Sequence, residues 1–313
     1  MKITNRFNLP APLVQAVTRH PRTDRPNTIS VSELIQPPQL RALIRKYDDE
    51  LTEDASDRLW ALLGTLLHGV MEQSAEGMAD HFTEEELSTE VLGWQVIGHY
   101  DLSEMVLDGE LLTDWKLTSV YSMKDKELKP EWDAQINCYA ELLRRAGRHV
   151  SRAQIVAIGR DWSQSRALRE RDSDYPQQQV LVKPVSLWES ERVSSYLESR
   201  VRLHQEAERG IWPDCTPEER WARPDIWALH KKGQKKAVKL FEDPVVAQKW
   251  LDGILGGDKS HFIQHRTGES IRCAAYCPAA PKCKQRAKLN PTLSDTLKES
   301  IKVAQQKKET VAA

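Results

Sequence analysis

Between residues 59 and 70 apolar side chains fall at Leu59, Leu62, Leu63, Leu66 and Val70. This three- and four-residue spacing predicts a helix over "SDRLWALLGTLLHGVMEQ" with a broad apolar face. From about residue 88 the period drops to two. "TEVLGWQVIGHYDLSEMVL", then Asp108-Gly109, then "ELLTDWKLT", read as strands, with Asp-Gly between apolar runs as a hairpin turn. A polar connection over 119–130 leads into a second helix, "EWDAQINCYAELLRRAG", stopped by Gly147. "AQIVAIGRDW" reads as a buried strand, "QQQVLVKPVSLW" as a further strand, and residues 189–209 as a charged helix. Upstream, "ISVSELIQPPQLRALIRKY" is helical with Ser30 or Ser32 as its cap and Pro37-Pro38 as an interruption. Residues 1–27 are polar and proline-dotted, and read as an extended arm. The order helix, three strands, helix, strand predicts an α/β core over 28–210, a mixed sheet with helices against it. Beyond Gly210 the composition shifts to Trp, Pro, Lys and Cys. An extension over 211–290, packed on the core, and a frayed tail over 291–313 complete the expected organisation.

Composition narrows the classes. The chain has 313 residues, 29% charged, and a formal net charge of −1, so any nucleic-acid surface must come from local clustering of Lys and Arg. No apolar run reaches the ~18 residues of a membrane helix, and the N-terminus lacks the apolar centre of a secretory signal. A cytoplasmic, reducing setting without membrane contact is the expectation. The five cysteines are then ligands, nucleophiles or core residues rather than disulfides.

With Asp108-Gly109 as a two-residue turn, Leu107 pairs with Glu110, Ser103 with Asp114 and Asp101 with Lys116. Asp101, Asp114 and Lys116 then share one sheet face, the two carboxylates as diagonal neighbours roughly 7–8 Å apart. A divalent cation fits between carboxylates so placed, with Lys116 beside it to orient a water or offset phosphate charge. The competing reading is a solvated sheet face with a cross-strand Asp–Lys pair. Two further sets accompany the hairpin: Gly64, His68 and Glu72 make a narrow non-apolar stripe on the first helix, and Gln135 and Tyr139 stand one turn apart on the second.

The ordered set G-x-x-x-H (Gly64 to His68), G-x-x-D (Gly98 to Asp101), D-x-K (Asp114 to Lys116) and Q-x-x-x-Y (Gln135 to Tyr139) resembles the PD-(D/E)XK nuclease superfamily, nearest its RecB-like and CRISPR-associated exonuclease branch. That resemblance implies a restriction-endonuclease-like core. Asp101 and Asp114 would bind Mg²⁺ or Mn²⁺ with His68 and the main-chain carbonyl of Trp115. Lys116 would position the attacking water, Gln135 and Tyr139 would support the site and touch DNA, and Glu90 is an outer candidate.

Cys138 lies on the buried helix and reads as core. Cys215 and the C-x₃-C-x₅-C triplet Cys273, Cys277 and Cys283 read as ligands of a metal group. The triplet resembles the [4Fe–4S] staple of several RecB-like nucleases, with Zn²⁺ as the alternative. There the fourth cysteine usually precedes the His-bearing helix, whereas here that segment holds Pro37-Pro38 and no cysteine. Between Cys215 and the triplet, "IWALHKKGQKKAVKLF" reads as a hairpin tipped by Lys231, Lys232, Lys235 and Lys236, which would contact DNA phosphates or merely blunt a strand edge. Trp221 and Trp227 lie near enough in sequence to stack on unpaired bases.

The expectation is a metal-dependent deoxyribonuclease acting in DNA recombination, repair or replication, an exonuclease by the branch it resembles. The alternatives are a structure- or sequence-specific endonuclease, a non-catalytic DNA-binding scaffold, and a redox-sensing iron–sulfur protein. It would act alone, with separate replication or recombination proteins, or as a homo-oligomer. No P-loop signature is present.

Overall fold

The computed structural model describes residues 1–18, 25–124, 127–253, 256 and 259–289. They belong to two compact units, residues 1–213 and residues from 214 on. The first unit runs β1 (Lys2–Thr4), α1 (Ala11–Thr18), β2 (Thr28–Ser30), α2 (Val31–Leu34), α3 (Pro38–Lys46), β3 (Thr52–Asp54), α4 (Leu59–Ala75), β4 (His81–Phe82), β5 (Glu86–Val91), β6 (Trp94–His99), β7 (Leu102–Val106), β8 (Gly109–Thr118), α5 (Val120–Lys124), α6 (Pro130–Arg145), β9 (Val150–Gly159), α7 (Gln164–Arg169), β10 (Val180–Val185) and α8 (Ser190–Glu208).

Its main sheet has the order β10-β9-β8-β7-β4, with β8 and β9 parallel and the other pairs antiparallel. A second sheet, β2-β6-β5, and the parallel pair β1-β3 complete it. The fold is mixed α/β. Its core joins Leu112, Ile155 and Ala157 of the main sheet to Ile136, Leu142 and Leu143 of α6, and to Val193, Leu197 and Val201 of α8. Ser30 caps α2 with Glu33 as a reciprocal capping box.

Several expectations change. Residues 1–27 are not an extended arm throughout: β1 and α1 form there, and Asp54 accepts from Thr4 Oγ1 at 2.8 Å and from Arg6 N at 2.9 Å. A three-residue strand is too short to display a period. The run "TEVLGWQVIGHYDLSEMVL" is three strands, β5, β6 and β7, because Leu92 and Gly93 both take left-handed φ (49° and 76°) and turn the chain back. The connection expected over 119–130 contains α5, and α7 precedes β10. None of the 17 residues of α4 is fully buried, and Trp60, Leu63, Leu66 and Val70 are exposed, so its apolar face does not enter the core.

The β7–β8 register also differs. Val106 pairs with Gly109, Ser103 with Leu112 and Leu102 with Thr113, so the turn is Leu107-Asp108 and the offset is two residues. Gly109 belongs to the strand because the chain passes His149 there. A Cβ at position 109 would stand 2.6 Å from the His149 carbonyl, and φ is +139°. An even offset keeps every side chain on its expected face.

The second unit holds β11 (Ile226–Lys231), β12 (Lys239–Phe241), α9 (Pro244–Gly253), β13 (His261–Arg266) and α10 (Lys284–Leu289). Its antiparallel sheet has the order β12-β11-β13. Leu229, Phe241 and Ala247 form a small core with Trp227, Trp250 and Ile263 around it. The lysine hairpin is β11–β12 as expected, whereas β13 and α9 were not legible. The tail expected over 291–313 lies outside the described residues. No described helix is long and apolar enough to cross a membrane.

Candidate metal centre

Asp101 stands where the chain leaves one sheet for the other: β6 is bonded to β2 and β5, β7 to β4 and β8, and only Tyr100 and Asp101 lie between. Continuing the β7–β8 register brings Asp101 opposite Asp114 rather than opposite Lys116. The Trp115 N–H donates to Asp101 Oδ2 at 2.7 Å, while Asp101 Oδ1 lies 3.0 Å from Nδ1 of His68, delivered by α4. That hydrogen bond is the first cause holding the His68 imidazole above its ordinary pKa.

Asp114 is 1% exposed. Its Oδ1 has no hydrogen-bond partner, and Oδ2 meets the Lys116 ammonium 2.5 Å away, outside ideal hydrogen-bond geometry. Burial pushes its carboxyl up to about 6, against the pull of Lys116 and with a push from Asp101. Lys116 Nζ also donates to Gln135 Oε1 at 3.0 Å, and Gln135 Nε2 to the Tyr139 hydroxyl at 3.1 Å. The Q-x-x-x-Y pair therefore aligns the lysine from α6. Tyr139 is buried, so the expected contact with a nucleic acid is not available to it. Gly98 explains how α6 comes so close. A Cβ there would lie 2.8 Å from the Tyr139 ring and 2.9 Å from Leu142.

Sequence reasoning missed Glu84. Its carboxylate joins His68 and Asp101 in a group whose donor atoms all lie within 4.8 Å of one another. Burial, and Asp101 after it, raise its pKa. Glu84 takes a left-handed φ of 50°, a strained choice for a residue with a side chain. Its N–H donates to the Tyr100 carbonyl at 3.1 Å, tying it to the residue before Asp101. Glu90, the outer candidate, is instead an exposed residue of β5 opposite Gln95. Glu72 is exposed as well.

Behind the segments that carry Glu84 and Asp101 lies Arg148. It donates to Glu85 Oε2 at 2.7 Å, the Tyr100 hydroxyl at 2.8 Å and Glu110 Oε1 at 2.9 Å. Glu85 and Tyr100 adjoin Glu84 and Asp101, so one guanidinium clamps both segments. It lines a cleft of about 670 Å³ with Phe82, Met105 and Glu110.

In the second unit the four expected cysteines act on one another. Burial lifts Cys215 to about 12, and the thiols of Cys283, Cys273 and Cys277 add to the push. Burial likewise raises Cys273 and Cys277. Gln285 of α10, another residue the sequence did not flag, grips Cys215 twice: Oε1 accepts from its N–H at 2.9 Å and Nε2 donates to its carbonyl at 2.8 Å. The three-donor group at His68 is the only one of its kind among the described residues, so no three cysteine sulfurs lie within 4.8 Å of one another. Cys138 is core as expected, with its thiol pushed up to about 12. Lys231, Lys232, Lys235 and Lys236 are all exposed, while Trp227 is packed on the small core rather than open for stacking.

No protein-family model matches the chain, nor does any curated protein sequence. The chain is similar to a solved structure, "Crystal structure of SSO0001", at 17% identity over 67% of this chain and 86% of that one, with a TM-score of 0.45.

Proposed function

We propose that the chain is a metal-dependent DNA nuclease with a restriction-endonuclease-like core, whose His68, Glu84, Asp101 and Asp114 hold Mg²⁺ or Mn²⁺. The observation that carries this reading is Asp114, a carboxylate 1% exposed with an unpartnered oxygen, within electrostatic reach of Asp101 and His68. A buried carboxylate so placed is unfavourable alone. Hard oxygen donors with one imidazole suit a small divalent cation. Such a cation supplies Lewis-acid polarisation of a phosphoryl oxygen.

The chain's own groups do the rest. Lys116 stands beside Asp114 and is aimed by Gln135, so its Nζ–H can hold an attacking water or offset charge growing on phosphate. The Trp115 N–H fixes one oxygen of Asp101 and leaves the other toward His68. The choice of DNA, and of cleavage from ends, rests on the resemblance of the four motifs.

The cysteines of the second unit extend the proposal to a structural [4Fe–4S] cluster on Cys215, Cys273, Cys277 and Cys283. Cys215, Cys273 and Cys277, each raised first by burial and further by neighbouring cysteines, support a shared metal group. A single tetrahedral Zn²⁺ with Zn–S near 2.3 Å draws its sulfurs to about 3.8 Å. Among the described residues no three of these sulfurs lie so close, and the choice of a polynuclear group over Zn²⁺ rests on the resemblance of the C-x₃-C-x₅-C triplet.

The test is cleavage of end-labelled linear single- and double-stranded DNA beside closed circles, with Mg²⁺ or Mn²⁺, for the wild type, Asp114→Ala and Glu84→Gln. Loss of linear DNA alone, abolished by Asp114→Ala and needing more metal in Glu84→Gln, is the expected result. Cutting of circles replaces the exonuclease by an endonuclease. Binding without cleavage by the wild type refutes the nuclease and leaves a scaffold.

A further inference from the structure

The near-zero net charge conceals a division. Residues 1–213 carry 26 Lys and Arg against 34 Asp and Glu, a net of −8, whereas residues 214–289 carry 15 against 9, a net of +6. Several acids of the second unit are committed to its own framework. Asp225 accepts from the Gly268 N–H at 2.7 Å and lies 2.7 Å from His265 Nε2. Asp243 accepts from the N–H groups of Val245 and Val246 at the start of α9. Lys231, Lys232, Lys235 and Lys236 are exposed and make no ion pair among the described residues. A polyanion is therefore drawn to the second unit and repelled on average by the first.

The sheet of that unit has two unlike faces. Strand alternation places Trp227, Leu229, Phe241 and Ile263 on the face that packs with α9. The opposite face exposes Leu240, Phe262, Gln264 and Arg266 around the buried Ala228 and His230 of β11. Phe262 is 44% exposed and lies against the His230 ring, centroids 5.4 Å apart and planes 16° from parallel. Arg266 Nη2 lies 3.0 Å from His230 Nε2. Arginine only donates, so His230 Nε2 is the acceptor in this contact. A fixed aromatic ring, an arginine beside it, and a lysine-rich turn on the same sheet are the components of a base-stacking platform with a phosphate track.

We infer that the open face of the β12-β11-β13 sheet binds single-stranded DNA, with one base stacked on Phe262 and the neighbouring phosphates on Arg266 and the β11–β12 lysines. The unpaired state follows from the ring, since a base stacked within a duplex offers no free face to it. The choice of deoxyribose rests on the nuclease reading above. The platform itself does not.

Fluorescence anisotropy of labelled oligo-dT with the full-length chain, in EDTA so that cleavage is absent, tests the inference. Phe262→Ala should weaken binding about tenfold and Phe262→Trp should restore it. Replacing all four lysines by Gln should flatten the slope of log K against log salt by about 3, at ~0.7 per phosphate on a single strand. Equal binding by wild type, Phe262→Ala and the lysine variant overturns the inference, as does tighter binding of duplex that ignores Phe262. Oligo-U binding as tightly as oligo-dT overturns the assignment to DNA. A chain that binds through Phe262 yet cuts nothing keeps the platform and loses the nuclease, and a nuclease indifferent to Phe262 does the reverse.

Discussion

Lys116→Met removes the ammonium in contact with a buried carboxylate, and its consequence follows from the geometry. Asp114 is 1% and Lys116 17% exposed, with 2.5 Å between Oδ2 and Nζ. At an effective dielectric near 20 the gross attraction is about 7 kcal/mol, most of it offset by desolvation of the two charges. Breaking such a pair from one side leaves the carboxylate alone and costs about 3–5 kcal/mol. Protonation caps the loss, since burial already raises the Asp114 carboxyl. Asp114→Asn removes the buried charge itself, so it should be neutral or stabilising without metal. In that background Lys116→Met should cost under about 1 kcal/mol. Urea unfolding of the wild type, both single variants and the double variant in EDTA gives the coupling energy, expected at about 2–4 kcal/mol. Adding Mn²⁺ at a hundredfold excess over its Kd should then stabilise the wild type by about 3 kcal/mol, and Asp114→Asn by less. A cost below 1 kcal/mol for Lys116→Met in the wild-type background, or equal Mn²⁺ stabilisation of wild type and Asp114→Asn, would refute the account of this pair.

Two further outcomes are expected. His204, 1% exposed with Nε2 3.1 Å from the Leu34 carbonyl, is held neutral because burial lowers its pKa from 6.5 to about 3. A depressed histidine leaves stability intact above the unfolded pKa and loses it as pH falls from 6.5 toward 3. Between pH 7.5 and 5 the wild type should therefore lose about 2 kcal/mol more than His204→Gln, measured by urea unfolding at both pH values. An equal loss in both proteins would assign the acid sensitivity elsewhere. Gly98→Ala forces a methyl to within 2.8 Å of the Tyr139 ring and should destabilise by about 1–3 kcal/mol. It should lower cleavage further by moving Gln135 off Lys116, and unchanged cleavage with unchanged stability would show that α6 yields freely.

How much was legible depended on the kind of pattern each feature leaves. Asp101, Asp114 and Lys116 could be placed together although the turn was put at the wrong residues. Strand faces follow parity, and the true register differs by two. His68, Gln135 and Tyr139 were recoverable because helical spacing fixes which residues share a side. Glu84 left no such trace. It sits between β4 and β5 in an unusual backbone conformation, set by the bond to Tyr100 and by Arg148 behind it, and neither is periodic. Its one signal was a Glu-rich run, "TEEE", which any solvated loop displays. Gln285 escaped for the same reason, since its role depends on Cys215, 70 residues away in sequence. That the broad apolar face of α4 stays uncovered was not legible either, because an apolar stripe indicates what a helix can cover, not whether anything covers it.

That uncovered helix has a consequence for when the centre exists. With Trp60, Leu63, Leu66 and Val70 exposed, α4 gains little from desolvation, and elements with few buried apolar contacts open at free energies well below global unfolding. Amide exchange along residues 59–75 should therefore run ahead of that in α6, whose residues 136–143 are all buried. Because α4 carries His68, each opening withdraws one donor from Asp101, so the lifetime of the intact donor set is the closed lifetime of this one helix.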